Sequence, residues 1–246
     1  MTDTNIFYVQ EKELVRADLE MKIQAKTEIH KSPTRVRLHN DTLIVSDKFG
    51  DIHTFTFDLT STLILGHVSM VTDFILIKDL LYTCDRDEKI RVSHYPNGYN
   101  IAFFCFGHEE YISRIVQYGD YVVSGGGDSW LGVWKQEKLI EKIDLSFVGD
   151  LEIDVLDIVV VDCDLIVILE GIDKMFVFSS DFKLKRQIEV ASPLRLLVVA
   201  HDLFVATSRG IVLFRNFEEI KSIDVDSFNA NYSVSQLRKR IDYNKR

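Results

Sequence analysis

The sequence predicts an all-β fold built from repeated units of four strands, and three observations support this prediction. Short apolar runs rich in Val, Ile, Leu, Phe and Tyr alternate with polar or Gly-containing breaks, as in strands joined by tight turns. Amphipathic helical spacing is confined to the C-terminal tail. Short groups of residues also recur at a fixed distance along the chain, which indicates a repeat protein.

The repeat distance is 41 residues. Gly66-His67 recurs as Gly107-His108, and Asp87 recurs as Asp128 at the same distance. A period of about 40 to 45 residues with four strands per unit is typical of the WD-repeat β-propeller. The sequence therefore predicts a WD-repeat β-propeller, in which each unit is one blade.

The second copy of the repeat carries a complete set of polar residues for a buried hydrogen-bond chain. Such a chain ties a connecting loop to the sheet, because each polar atom is satisfied by the next one. The residues expected to form it are His108, Ser124, Asp128 and Trp134.

The first copy keeps His67, Thr83 and Asp87 at the same spacing. Ser93 stands where the tryptophan would be. We therefore expect an incomplete chain in this copy, and we interpret both His67 and His108 as structural residues.

The repeat extends outward to about six blades. One more unit lies around 45–55, and two degenerate units lie near 153–190 and 193–225. Three N-terminal strands would form the last blade by taking one strand from beyond residue 225, since closure removes open sheet edges. The predicted regions are a propeller over 1–230 and a short basic C-terminal helix or tail over 231–246.

The charge of the chain is unevenly distributed. The net charge is −9, yet the last sixteen residues hold five Lys or Arg and one Asp. An acidic body argues against a nucleic-acid groove over most of the surface. The basic tail is either a phosphate contact or a solvated end.

Other features bound the class of protein. Three cysteines without paired short spacing argue against a disulfide framework and a zinc site. We found neither an apolar secretory core nor an uninterrupted apolar stretch of spanning length, so we expect a soluble intracellular protein.

Enzyme motifs are missing from the sequence. The glycine-rich stretch 124–130 leads into a strand rather than a helix, which favours a turn over a phosphate-binding loop. The histidines show no metal-ligand spacing. We therefore predict no catalytic residue and no metal site.

The stretch 84–96 is unusually rich in charge. Asp87 is assigned to the hydrogen-bond chain, whereas Asp85, Arg86, Glu88 and Lys89 exceed what the fold needs. Such a cluster is either a self-paired solvated turn of little energetic value or half of a charge-complementary interface.

At these residues the sequence resembles the WD-repeat, non-catalytic subunit of the tRNA (guanine-N7-)-methyltransferase. The string DRDEKIRVS at 85–93 follows VSDKFGDIHTF at 45–55 and GHVSMVTD at 66–73, and precedes FCFGHEEYISRI at 104–115. The resemblance is good over about 43–135. That family usually has seven blades, so the resemblance also implies that one blade is lost or shortened here.

The resemblance implies a non-catalytic scaffold in a nuclear heterodimer. The catalytic partner would bind S-adenosylmethionine and methylate a guanine in the variable loop of tRNA, and this chain would hold no cofactor itself. The implied partner-facing residues are Arg86, Glu88, Lys89 and Arg91, with Arg114 as a further candidate. The implied RNA-binding residues of the tail, which could instead grip the partner, are Arg238, Lys239, Arg240 and Lys245.

Two other functions stay open at this point. The chain could be a WD-repeat adaptor of another assembly, such as a ubiquitin ligase or a ribosome-assembly complex. It could also be a propeller hydrolase, although the strands expected to line a channel offer few carboxylates or histidines. A fold does not decide between these functions.

Overall fold

A computed structural model describes residues 5–149 and 152–224. The chain divides into two compact units, one up to Phe104 and one from Cys105 onward. The strands of each unit are antiparallel to their sheet neighbours and follow one another in chain order.

The first unit contains one three-stranded and two four-stranded sheets. Strand β11 runs one residue past the division between the units. The strands of the first sheet are β1 (Ile6–Gln10), β2 (Glu13–Ala17) and β3 (Ile23–Glu28). Those of the second are β4 (Pro33–His39), β5 (Thr42–Asp47), β6 (Asp51–Phe55) and β7 (Ser61–Gly66). Those of the third are β8 (Val71–Ile77), β9 (Leu80–Asp85), β10 (Ile90–His94) and β11 (Ile101–Cys105).

The second unit contains three four-stranded sheets. The fourth sheet has β12 (Ile112–Tyr118), β13 (Tyr121–Gly126), β14 (Trp130–Lys135) and β15 (Lys138–Asp144), and a 3-10 helix follows at Ser146–Val148. The fifth sheet has β16 (Val155–Val161), β17 (Asp164–Leu169), β18 (Lys174–Phe178) and β19 (Leu184–Glu189). The sixth has β20 (Pro193–Val199), β21 (Asp202–Thr207), β22 (Gly210–Arg215) and β23 (Glu218–Asp224).

The predicted fold class is confirmed. Residues 5–149 and 152–224 form six sheets, and five of them have the four consecutive strands of a propeller blade. Both degenerate units, near 153–190 and 193–225, are complete four-stranded sheets. The fold is therefore an all-β propeller of six blades.

β-Bulges identify which strand the first sheet lacks. In all five four-stranded sheets the pairing of the first two strands is bulged, whereas the second and third strands pair regularly. The pair β1–β2 is regular and β2–β3 is bulged, as third-to-fourth pairs are elsewhere. Strands β1 to β3 therefore correspond to the second, third and fourth strands of a blade. The strand expected from beyond residue 225 falls on residues outside the described part.

The core of each unit lies between neighbouring sheets, and side-chain alternation explains how one strand serves two cores. On β5, Leu43 and Val45 pack toward the first sheet, whereas Ile44 packs toward the third. On β17, Leu165 and Val167 pack toward the fourth sheet, and Ile166 packs toward the sixth. Both faces of such a strand are buried, so its sequence is continuously apolar rather than alternating.

The three cysteines are free thiols. Cys84 on β9 is completely buried, and burial raises its pKa to about 12. Burial also raises the pKa of Cys105 to about 12. Cys163 is exposed in the turn between β16 and β17. A search of the described residues for an apolar helix long enough to cross a membrane found none.

We predict that Phe176→Ala destabilises the second unit by about 3 to 5 kcal/mol, because it leaves a cavity between the fourth and fifth sheets. Phe176 is 1% exposed and its ring lies 5.5 Å from that of Phe147. Chemical denaturation measures the loss. The control is Leu197→Ala, an exposed position expected to change the free energy of unfolding by less than about 0.5 kcal/mol. Equal losses for the two variants would contradict the assigned core.

Candidate functional site

The charged turn, residues 85–89, joins β9 to β10. Cys84 pairs with Ile90 at the base of this turn, so the antiparallel pairing of β9 and β10 continues up to the turn. The backbone N–H of Arg86 donates to the carbonyl of Met70 at 3.1 Å, which ties the turn to the loop before β8. Glu88 adopts a left-handed conformation with φ of 70°. Lys89 is exposed, whereas Arg86 and Glu88 are half-buried.

His67 anchors this turn from the loop between β7 and β8. Its Nδ1 lies 2.9 Å from Asp85 Oδ2, and its Nε2 lies 2.7 Å from Thr83 Oγ1. The Thr83 hydroxyl also donates a hydrogen bond to the Arg91 carbonyl at 3.1 Å. The His67 and Asp85 side chains are almost completely buried. A polar loop residue is therefore fixed to the sheet, as the sequence indicated.

The aspartate that binds His67 is Asp85. The prediction that Asp87 fills this position was wrong, and so was the prediction that the fold does not need Asp85. Side chains alternate along a strand, so Asp85 shares a face with Thr83 and meets the same histidine. The backbone N–H of Asp87 donates to Asp85 Oδ1 at 2.9 Å. Asp85 thus closes the turn as well as holding His67.

The second copy uses the aspartate that the sequence indicated. His108 Nδ1 lies 2.6 Å from Asp128 Oδ2, and Nε2 lies 2.7 Å from Ser124 Oγ. Trp134 donates its indole N–H to Ser124 Oγ at 2.7 Å. The position equivalent to Asp85 is Gly126, where a side chain would collide with the Tyr111 carbonyl, so the carboxylate comes from two residues further along.

Sequence reasoning missed Trp130, which stacks on the His108 ring with centroids 4.3 Å apart. Its indole covers one face of the imidazole, whose two nitrogens make their hydrogen bonds at the edge of the ring. An aromatic residue immediately after the turn aspartate and serine was the available signal.

In the first copy the Arg91 side chain binds Ser93, the residue at the position of the missing tryptophan. Its guanidinium donates to Ser93 Oγ at 3.0 Å and to the carbonyls of Gly66 and Gly98 at 3.0 and 2.7 Å. Burial lowers the pKa of Arg91. The expectation that Arg91 faces a partner was therefore wrong, because its side chain is buried and its donors hold two loops of this chain.

The prediction that Arg114 faces a partner is also wrong. Its side chain is 3% exposed and its Nε donates to Asp157 Oδ1 at 2.8 Å, across to the next sheet. The first unit has an equivalent contact, in which Arg35 Nε lies 2.9 Å from Asp73 Oδ1. Both arginines join the first strands of neighbouring sheets and are structural.

The structure brings together three side chains that the sequence did not single out. Atoms of Asp47, Asp51 and His53 that could hold a cation lie within 4.8 Å of one another. Lys31 Nζ already lies 2.5 Å from Asp51 Oδ2, and the hydrogen bond to Asp51 raises the pKa of Lys31. Asp47 Oδ1 accepts the backbone N–H groups of Phe49 and Asp51. Both carboxylates of the cluster therefore already have partners within the chain. The tail residues Arg238, Lys239, Arg240 and Lys245 lie outside the described part.

Comparison with known families gives a match over residues 53–235 to the family model described as the tRNA methyltransferase TRM82 WD40 domain. One similar curated protein is the tRNA (guanine-N(7)-)-methyltransferase non-catalytic subunit TRM82 of Meyerozyma guilliermondii, 36% identical over 51% of this chain and 34% of that protein. Another is the non-catalytic subunit wdr4 of Danio rerio, 40% identical over 44% of this chain and 29% of that protein. The matches thus span about a third of the length of these relatives.

Solved structures show the fold alone. The WD40 β-propeller domain of Doa1 superposes with a TM-score of 0.77 at 12% identity, over 92% of this chain and 80% of that domain. A chain of the mitotic checkpoint complex gives a TM-score of 0.76 at 11% identity, over 91% of this chain and 77% of the other.

We predict that Asp85→Ala lowers stability by about 1 to 3 kcal/mol, because it leaves buried polar atoms of His67 unsatisfied. The matched variant is Asp87→Ala, for which the loss is smaller because Asp87 is half-buried. Thermal and chemical unfolding of both variants test the assignment. A larger loss of stability for Asp87→Ala than for Asp85→Ala would instead support the hydrogen-bond chain through Asp87 that the sequence predicted.

Proposed function

The chain belongs to the family of tRNA methyltransferase TRM82 WD40 domains, and from this we propose that it is the non-catalytic scaffold subunit of a tRNA (guanine-N7)-methyltransferase. In this proposal it binds a catalytic subunit in the nucleus and stabilises the active form of that subunit. The observation that carries the proposal is the family match over residues 53–235, together with the relatives named as non-catalytic subunits.

The division of labour suits the chemistry. Guanine N7 has an available lone pair, so methyl transfer requires positioning of donor and acceptor more than a general base. In our proposal the partner binds S-adenosylmethionine, and this chain holds the partner in place. Rigid, doubly buried sheets suit that role, because binding to a preorganised surface costs little ordering.

The charged turn is our proposed contact with the catalytic subunit. Arg86, Glu88 and Lys89 present both signs of charge on a backbone that Asp85 and His67 hold in place. A fixed array of charges favours one complementary partner and rejects others. Arg91 and Arg114 support the sheets instead and have no part in this contact. We keep the tail residues as proposed phosphate contacts on tRNA, made through the complex.

The function is tested by reconstitution with the catalytic tRNA (guanine-N7)-methyltransferase subunit of the same organism. We expect N7-methylguanosine to form at full rate only when both chains are present, and we expect this chain alone to methylate nothing and to bind no S-adenosylmethionine. Equal methylation without this chain would contradict the proposal. Recovery of a cullin-type or pre-ribosomal set in place of a methyltransferase on co-purification would favour the adaptor function.

We predict that Lys89→Glu weakens binding of the catalytic subunit by about 2 to 5 kcal/mol, because reversal sets like charges against each other where the pair is desolvated. The free energy of unfolding should change by no more than about 0.5 kcal/mol, as for other exposed charges. Titration calorimetry in moderate salt measures the affinity.

The matched control for Lys89→Glu is Lys78→Glu. Lys78 is an exposed lysine in the turn between β8 and β9, at the opposite end of the same strand β9. We expect this variant to bind normally. If Lys89→Glu and Arg86→Glu both bind as tightly as the unaltered chain, the charged turn is only a polar turn.

A further inference from the structure

Two apolar side chains are exposed beside the charged turn. Phe49 lies in the turn between β5 and β6 and is 66% exposed, and Val68 lies in the loop between β7 and β8 and is fully exposed. Scattered single apolar residues are normal on a protein surface. Phe49 and Val68 differ from such scattered residues because they lie on backbone segments that contact each other.

Backbone contacts join the segments in a row. The N–H of His67 donates to the carbonyl of Gly50 at 2.8 Å, and a Cβ added to Gly50 would collide with the Ser69 carbonyl, so the turn of Phe49 touches the loop of Val68. The Arg86 N–H donates to the Met70 carbonyl, so the same loop touches the charged turn. Phe49, Val68 and the charged turn therefore lie along one edge of the first unit.

The repeat shows that the fold does not require these apolar residues. Phe49 corresponds to Asp87 at the shift of 38 residues, and Val68 corresponds to Glu109 at the shift of 41. The turn geometry is the same, since the Phe49 N–H donates to Asp47 Oδ1 at 2.8 Å as the Asp87 N–H does to Asp85. An acid thus serves the fold at each position, and apolar side chains there leave hydrophobic area in water.

We propose that Phe49 and Val68 are the apolar anchors of the surface that docks the catalytic subunit, with Arg86, Glu88 and Lys89 as the charged contacts beside them. This inference rests on the proposed function. The catalytic subunit is the occupant because the two side chains are continuous with the charged turn, and protein interfaces combine apolar anchors with charged contacts. Lys31 adds to the anchor, since its ammonium lies 5.0 Å from the centre of the Phe49 ring. The partner surface should therefore be an apolar depression bordered by charges of both signs.

The test uses the full chain and its catalytic subunit. Phe49→Asp and Val68→Glu introduce the residues found at the equivalent positions of the next repeats, so both turns should tolerate them. We expect the double variant to weaken binding by at least about tenfold, the effect of losing a central anchor. Its unfolding midpoint should stay unchanged. The control is Leu19→Asp, which alters an equally exposed residue, at 66%, in the turn between β2 and β3 and should bind normally.

The outcomes separate the inference from the function. If the double variant binds normally while Lys89→Glu weakens binding, the anchors are wrong and the scaffold function stands. If the unaltered chain fails to bind the subunit, the function itself fails. If the unfolding midpoint of the double variant is lowered, Val68→Glu alone is tested in its place, and it should still weaken binding several-fold. Sedimentation of each variant covers the remaining case, because loss of self-association with unchanged affinity for the subunit would assign the surface to a second copy and overturn the inference.

Discussion

Within each unit, the middle sheet depends on burial of both of its faces by the neighbouring sheets. Each blade is a single small sheet that cannot shield an apolar face alone, so stability comes from stacking one blade on the next. In the first unit, Ile44 and Leu43 on the same strand β5 belong to two different cores. Removing one sheet would expose the core on either side, which makes the stack cooperative.

Polar anchoring is the second condition, and it is built differently in each copy. In the first, His67 meets Asp85 at the end of β9, and in the second, His108 meets Asp128 inside the turn. The carboxylate that meets Nδ1 comes from positions two residues apart in the repeat, whereas the hydroxyl that meets Nε2 comes from equivalent positions. The anchor in the first copy leaves Arg86, Glu88 and Lys89 on a fixed backbone, which connects a structural hydrogen bond to the proposed binding surface.

Sequence reasoning predicted the elements that repeat and failed where the copies differ. The period of 41 residues and the continuous apolar strands were sufficient for the six sheets, because two-sided burial leaves a strong composition signal. The aspartate that holds His67 could not be identified, since Asp85 and Asp87 are both acidic and only side-chain direction separates them. Arg91 and Arg114 were misjudged for the same reason, because a charged residue in a strand gives no sign of the buried carbonyl or carboxylate that it meets.

The thiol of Cys84 provides a built-in reporter for the region behind the charged turn. Its sulfur is completely buried directly before Asp85, and a pKa near 12 leaves almost no thiolate at neutral pH. An alkylating reagent can therefore reach it only after β9 has opened, whereas exposed Cys163 reacts without any opening. The ratio of the two labelling rates would follow the local opening free energy of this edge in the native protein and would register any tightening when a ligand binds there.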